Sequence, residues 1–229
     1  MKKPLIKIDV VSDVVCPWCY IGKRRLEKAM DGLKAEMDFE VEFYPFELNP
    51  SIPSEGIDQK KYLSEKFGGE DRYNQITAHT TRTAAQEGLH FDFAKQKISP
   101  NTFQSHRLIA FARLFGKQAA MNEALMRAYF EKGTDLTQNE NLVAMAAEVG
   151  LNPDDTRKFL ASQELSDQIK QQEQLNYQRG ISGVPYFIIN GKYGLSGAQP
   201  VEVFTEALRE IVSETNQGES CSVEGVCTT

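Results

Sequence analysis

Cys16-Pro17-Trp18-Cys19 places two thiols three residues apart, after the apolar pair Val14-Val15 and before a basic, helix-like stretch. Two thiols at this spacing can bind a metal, brace a fold or exchange electrons. A closed zinc site needs four ligands, usually with a second cysteine or histidine pair at comparable spacing. The other cysteines, Cys221 and Cys227, have five residues between them near the C-terminus, and His79, His90 and His106 show no ligand spacing. No metal is expected. An inert buried pair fits poorly at a junction between a strand and a helix. The redox reading gains from that junction, because the free amides and positive dipole end of a helix N-terminus favour thiolate over thiol. Pro17 suits the first helical turn, where its missing N–H costs no hydrogen bond. Cys16, nearest the helix end and the better exposed of the two, is expected to attack. Cys19, deeper in the first turn, is expected to resolve, with Pro17 and Trp18 flanking the substrate.

The surrounding elements have to hold this pair in place. Ile6, Ile8 and Val10 alternate with Lys7 and Asp9, a strand pattern. Leu26, Met30, Leu33 and Met37 make one helical stripe, and Phe39, Val41 and Phe43 return to period two, completing a βαβ unit. The Pro/Ser/Gly-rich segment 49–56 reads as a loop, and from about Asp58 to Arg179 the patterning is helical. There Asn152 is a candidate N-cap, Pro153 the first helical residue, and Gly150 the end of the preceding helix. Strands resume over Val184–Ile189, and Asn190-Gly191 is a strong hairpin signal. Val201, Phe204, Leu208 and Ile211 mark a last amphipathic helix. The order β-α-β, helices, β-β-α implies an α/β chain whose ends share one sheet. Residues 1–48 and 181–214 would form a discontinuous domain and 49–180 an inserted helical subdomain. Residues 215–229 would be a mobile tail carrying Cys221 and Cys227.

The chain has 229 residues, 41% apolar and 25% charged, with a formal net charge of −6. That fits one large soluble unit and argues against nucleic-acid or anionic-membrane partners. The cluster Lys23, Arg24, Arg25, Lys28 reads as a solvated helix face. The start, MKKPLIKIDVV, is interrupted by Lys7 and Asp9 and reads as a strand rather than a leader. No apolar run approaches the ~18 residues of a membrane helix. The expected compartment is the cytoplasm, where cysteines are more often reactive than structural.

The motifs CPWCYIGK, YPFELNP, SHRLIAFA, ISGVPYFIING and SGAQP occur in order over about residues 5–212. Together they resemble the DsbA-like branch of the thioredoxin superfamily. Within it they resemble FrnE-type oxidoreductases, which are related to 2-hydroxychromene-2-carboxylate isomerases and kappa-class glutathione transferases. The resemblance implies a thioredoxin fold with a helical insertion. It implies thiol-disulfide exchange with protein thiols and disulfides, with no metal or organic cofactor and with glutathione as a candidate co-substrate. It also implies that Val184-Pro185 is a cis-proline loop facing the cysteines. Val184 could then present its backbone to an extended peptide.

Some FrnE-type proteins carry a further C-terminal cysteine pair, which makes Cys221 and Cys227 a candidate second redox pair. Trp18 stands where DsbA has histidine, and its one neutral N–H implies a weaker oxidant. A buried acid of DsbA corresponds to Val10 here, and Asp9 and Asp13 read as solvated or capping acids. His106 and Arg107 read as organisers of the helical subdomain. Two rival functions stand beside the oxidoreductase: a glutathione-dependent isomerase or transferase of small molecules, and a chaperone-like binder of unfolded polypeptides. No oligomeric state follows from the sequence.

Overall fold

The computed structural model describes residues 3–220, with side chains described up to residue 214. Strand β1 (Leu5–Ser12), helix α1 (Pro17–Leu33) and strand β2 (Asp38–Pro45) form the expected βαβ unit. A two-residue strand β3 (Ile57–Asp58) leads into α2 (Gln59–Phe67) and α3 (Glu70–Gln86). After β4 (Ile98–Ser99) come α4 (Phe103–Arg113), α5 (Gln118–Arg127), α6 (Asn139–Glu148), α7 (Pro153–Ala161) and α8 (Ser166–Gln178). The chain ends in the hairpin β5 (Tyr186–Ile189) and β6 (Tyr193–Ser196), then α9 (Val201–Ser220).

The main sheet has the order β2-β1-β5-β6. β1 pairs parallel with β2, from Leu5 opposite Asp38 to Ser12 opposite Pro45. It pairs antiparallel with β5, from Ile8 opposite Ile189 to Val11 opposite Tyr186. The two ends of the chain thus meet in one sheet, and the loops beyond Ser12 and before Tyr186 lie side by side. Ile6, Ile8 and Val10 enter the main core with Leu26, Leu33, Phe204 and Leu208, while Val11 packs with Phe46 and Ile181 in a second cluster. The main core also takes in residues of the helical segment, among them Leu125, Phe130 and Leu142.

Local signals explain the turns. Asn190 and Gly191 both have positive φ, 51° and 68°, as a two-residue hairpin turn with the strands' twist requires. Asn152 caps α7, its side-chain oxygen accepting from the amides of Asp154 and Asp155. The β3-β4 ribbon was not expected, because two-residue strands are too short to show an alternation. It pairs Ile57 with Ser99 and Asp58 with Ile98. Helix α9 continues to Ser220, past residue 215, where the tail was expected to begin. Cys221 and Cys227 lie outside the described residues.

The cluster Lys23, Arg24, Arg25, Lys28 is not a solvated face. Lys23 is buried and bonds Glu123 on α5, which also accepts from Tyr20 Oη (2.6 Å) and Arg24 Nη2 (2.8 Å). Arg25 and Lys28 meet Glu87, just beyond α3, at 2.6 and 2.7 Å. The acidic partners stand far away in sequence, so a local reading misses them. Burial raises the Glu123 carboxyl, but Lys23, Tyr20 and Arg24 more than reverse this and hold it below the usual carboxylate range.

Candidate active site

The backbone builds the site first. Cys16 is the N-cap residue of α1, with extended dihedrals (φ −89°, ψ 112°), and Pro17 begins the helix. Its amide donates to the Asp13 carbonyl (3.1 Å), and its own carbonyl accepts from the Cys19 amide (3.0 Å). The two sulfurs lie 3.3 Å apart and are not bonded. Cys16 Sγ faces the Val184 carbonyl at 3.6 Å, and the Val184-Pro185 peptide bond is cis.

That loop is held from two sides. The Pro185 carbonyl accepts from the Gly197 amide at 2.8 Å. One helical turn beyond Trp18, Gly22 lets the loop approach α1: a Cβ there would lie 3.1 Å from Pro185 Cγ and 3.3 Å from Ala198 Cα. The structure thus brings Cys16, Cys19, Pro17, Trp18 and Val184 together. Pro185 stands behind Val184, against Gly22.

Cys16 is the better exposed of the two thiols, as expected, but both are buried: it is 4% exposed and Cys19 1%. Residues of the helical segment line the cavity onto which Cys16 opens at the first turn of α1. Burial pushes the Cys19 thiol well above the ordinary thiol range, and the neighbouring Cys16 adds to this. Cys19 therefore keeps its proton until an electrophilic sulfur is in reach, as a resolving thiol should.

Trp18 is partly buried, and its ring centroid lies 6.1 Å from that of His79 on α3. His79 had been weighed only as a metal ligand; no local signal tied it to Trp18.

Asp13 is not a solvated acid. It is 1% exposed, three residues before Cys16. Its Oδ2 accepts from the Leu48 amide (2.8 Å), and its Oδ1 lies 3.4 Å from His106 Nε2. His106 Nε2 also lies 3.2 Å from the Phe46 carbonyl. The buried Glu47 and the half-buried Glu173 act on the same imidazole through their charges.

Burial alone would lower His106. The Asp13 carboxylate, with Glu173 and Glu47, reverses this and leaves it raised. Glu173 is pushed up to about 7, chiefly by burial, opposed by His106 and reinforced by Glu47 and Asp13. Glu47 is raised as well, again mainly by burial. His106 therefore links the site to α4 and α8, a different role from that expected.

Arg107 does organise the helical subdomain. Its guanidinium donates to the carbonyls of Glu164 (2.8 Å) and Ser162 (2.8 Å) beyond the end of α7. Asn101 donates to the Ile52 carbonyl at 3.0 Å. Asp9 lies half-buried on β1, raised by burial and then by Glu42.

Among the described residues no group of three or more His, Cys, Asp or Glu side chains is arranged to hold a metal ion. No described helix is long and apolar enough to cross a membrane.

A thioredoxin fold that sets paired cysteines at a helix start against a cis-proline loop defines a thiol-disulfide oxidoreductase class. Residues 7–209 match the family described as DSBA-like thioredoxin domain, and the chain belongs to it. It is 30% identical over 219 residues to the uncharacterized protein YwbO of Bacillus subtilis (strain 168), covering 90% of this chain and 96% of that one. It superposes on a probable DsbA oxidoreductase from Streptomyces coelicolor with a TM-score of 0.86 and 30% identity, covering 98% of this chain and 94% of that one. The cytosolic disulfide reductase DsbM from Pseudomonas aeruginosa, solved with GSH, shares the fold at a TM-score of 0.64 and 18% identity, covering 90% and 99%.

Proposed function

We propose that Cys16 and Cys19 exchange two electrons with disulfides of polypeptide substrates. The observation that carries this reading is the alignment of Cys16 Sγ, 3.6 Å from the Val184 carbonyl, with Cys19 3.3 Å behind it. The Cys16 thiolate attacks one sulfur of R–S–S–R′, forming Cys16–S–S–R and releasing R′S⁻, which takes a proton from water. Cys19 then gives up its proton and attacks the Cys16 sulfur. This closes the Cys16–Cys19 disulfide and releases RS⁻, which is protonated in turn. Two electrons pass from the dithiol to the substrate, and two thiols such as glutathione restore the dithiol in successive exchanges, leaving as their own disulfide. Run backwards, the same steps oxidise a substrate dithiol, and the reduction potential of the pair sets the direction.

The main chain at Val184 suits an extended segment, since backbone pairing gives affinity without demanding one sequence. A reducing compartment such as the cytoplasm, with glutathione as co-substrate, fits this reading. The fold's relative DsbM, a cytosolic reductase solved with GSH, makes it a natural first comparison.

Insulin reduction with dithiothreitol tests the proposal. The wild type accelerates it, Cys16→Ser does not, and Cys19→Ser accumulates a mixed disulfide visible by mass spectrometry. Activity on a small aromatic substrate that survives Cys16→Ser would overturn it in favour of an isomerase or transferase. Suppression of aggregation by a double serine variant, with no exchange by the wild type, would overturn it in favour of a binder.

A further inference from the structure

Cys19 has to lose its proton at an awkward moment. It is 1% exposed, and it attacks only after R is held on Cys16, in the cavity onto which Cys16 opens. Bulk water is then a poor acceptor, and the proton needs a path through the protein.

Asp13 is the acid at hand. Its backbone hydrogen-bonds the Cys19 sulfur, and its carboxylate charge acts on that thiol. Its Oδ2 accepts from the Leu48 amide at 2.8 Å. Its Oδ1 is buried with no hydrogen-bond partner among the described residues, and His106 Nε2 lies 3.4 Å away. A buried carboxylate oxygen without a donor is costly, and it is a ready place for a proton.

His106 comes next. Its Nε2 lies 3.2 Å from the Phe46 carbonyl, which can only accept, so the hydrogen stays on Nε2 and Nδ1 is the nitrogen that titrates. Glu173 on α8 and Glu47 act on the same imidazole. Each keeps one buried oxygen without a donor, Oε1 of Glu173 and Oε2 of Glu47. Tyr129 and Tyr177 also feel these charges, but both are raised above the ordinary tyrosine range, chiefly by burial, and stay protonated near neutrality. Exposure grows along the series: Asp13 is 1% exposed, His106 4%, and Glu173 is half-buried between exposed neighbours on α8.

We propose that Asp13, His106 and Glu173 form a proton relay that carries the Cys19 proton to the surface of α8 while the substrate is held on Cys16. This rests on the disulfide-exchange reading above and adds acid–base groups to it, two of them supplied by the helical segment. The Cys19 S–H bond breaks, its proton goes to Asp13 Oδ1, and the sulfur attacks Cys16 and expels RS⁻. With the Asp13 charge gone, His106 gives its Nδ1 proton to the Glu173 carboxylate, which passes it to water. RS⁻ takes up a proton outside. When thiols restore the dithiol, Cys19 leaves as thiolate and recovers its proton from Asp13, and His106 is reprotonated through Glu173.

The test mixes the reduced full chain with one equivalent of dithiobis(nitrobenzoate) in stopped flow. The nitrobenzoate group placed on Cys16 quenches the neighbouring Trp18, the only tryptophan. Fluorescence recovers as Cys19 expels the group, so the recovery rate reads the resolving step. In the wild type this rate rises with pH and levels off above about 7, where Glu173 is ionised. Asp13→Asn, which keeps an acceptor for the Leu48 amide, and His106→Gln recover about a hundredfold more slowly at neutral pH, the usual scale of general-base assistance. Their rates climb about tenfold per pH unit without levelling, because only the hydroxide-dependent thiolate fraction reacts. Glu173→Gln, at the outer end of the series, is about threefold to tenfold slower and loses the levelling near 7.

Slower recovery in Asp13→Asn or His106→Gln with the wild-type pH profile retained would overturn the relay, since a structural effect lowers the rate without changing which group takes the proton. A wild-type profile in Glu173→Gln would overturn it as well, because the exit at α8 would then be idle. Both results leave disulfide exchange standing. Quenching of Trp18 in the wild type no greater than in Cys16→Ser would overturn the exchange reading and the relay together.

Discussion

Replacing Glu173 by glutamine removes one proton-binding group from the buried carboxyls around His106 and keeps its shape. The glutamate's ordinary value is 4.5, and in the folded protein it is raised to about 7. Below pH 4.5 folded and unfolded chains both hold this proton. Between 4.5 and about 7 only the folded chain holds it, so stability falls as pH rises; above about 7 the loss is complete. At about 1.36 kcal/mol for each pH unit, the interval has an upper bound of about 3.4 kcal/mol. Glu173 is only partly buried, and solvent screening reduces this to about 1–2 kcal/mol.

Glutamine has no such dependence. The stability of Glu173→Gln relative to wild type should therefore rise by about 1–2 kcal/mol between pH 4.5 and pH 8. Urea titrations of the reduced protein at four pH values, followed by Trp18, the only tryptophan, measure this by linear extrapolation. Titration of groups shared by both proteins largely cancels in the difference. A difference that stays constant with pH, or moves in favour of wild type at high pH, would refute the account of the cluster.

Three further outcomes are expected. Arg107→Met should cost about 3 kcal/mol in urea unfolding, because the carbonyls beyond α7 lose a buried donor. Arg107→Lys should not restore it, since an ammonium cannot reproduce the planar fork. Gly22→Val should destabilise the protein by about 2 kcal/mol through overpacking against Pro185 and Ala198. It should also slow insulin reduction, because the Val184 carbonyl is pushed away from Cys16. Trp18→His should raise the reduction potential of the pair by about 30 mV or more, which equilibration in glutathione buffers would register.

The parts that were legible in the sequence rest on short-range signals. The alternation in β1, the stripe on α1, the Asn190-Gly191 turn and the Asn152 cap are each dictated within a few residues. The meeting of Cys16 and Cys19 at a helix start was legible because their spacing is local and Pro17 marks the first turn. The cluster of Asp13, Glu47, His106 and Glu173 was not, since four separate segments contribute to it and none carries a distinguishing pattern. His106 and Arg107 show the limit most clearly. They are adjacent on α4, yet one turns toward Asp13 and the other caps α7. How far Cys16 is buried was not legible for the same reason: the cavity beside it is walled by residues such as Tyr129 and Phe130, over a hundred positions away.

The anchoring of α1 has a consequence for how redox state is expressed. Glu87 grips the helix through Arg25 and Lys28, and Glu123 grips it through Tyr20, Lys23 and Arg24. With the helix body tied to the helical segment at both places, a swing of one part of the molecule against the other on making the Cys16–Cys19 bond would have to break these ion pairs. The first turn, at Cys16, Pro17 and Trp18, lies before these ties and is where a binding partner would read the difference between the oxidised and the reduced protein.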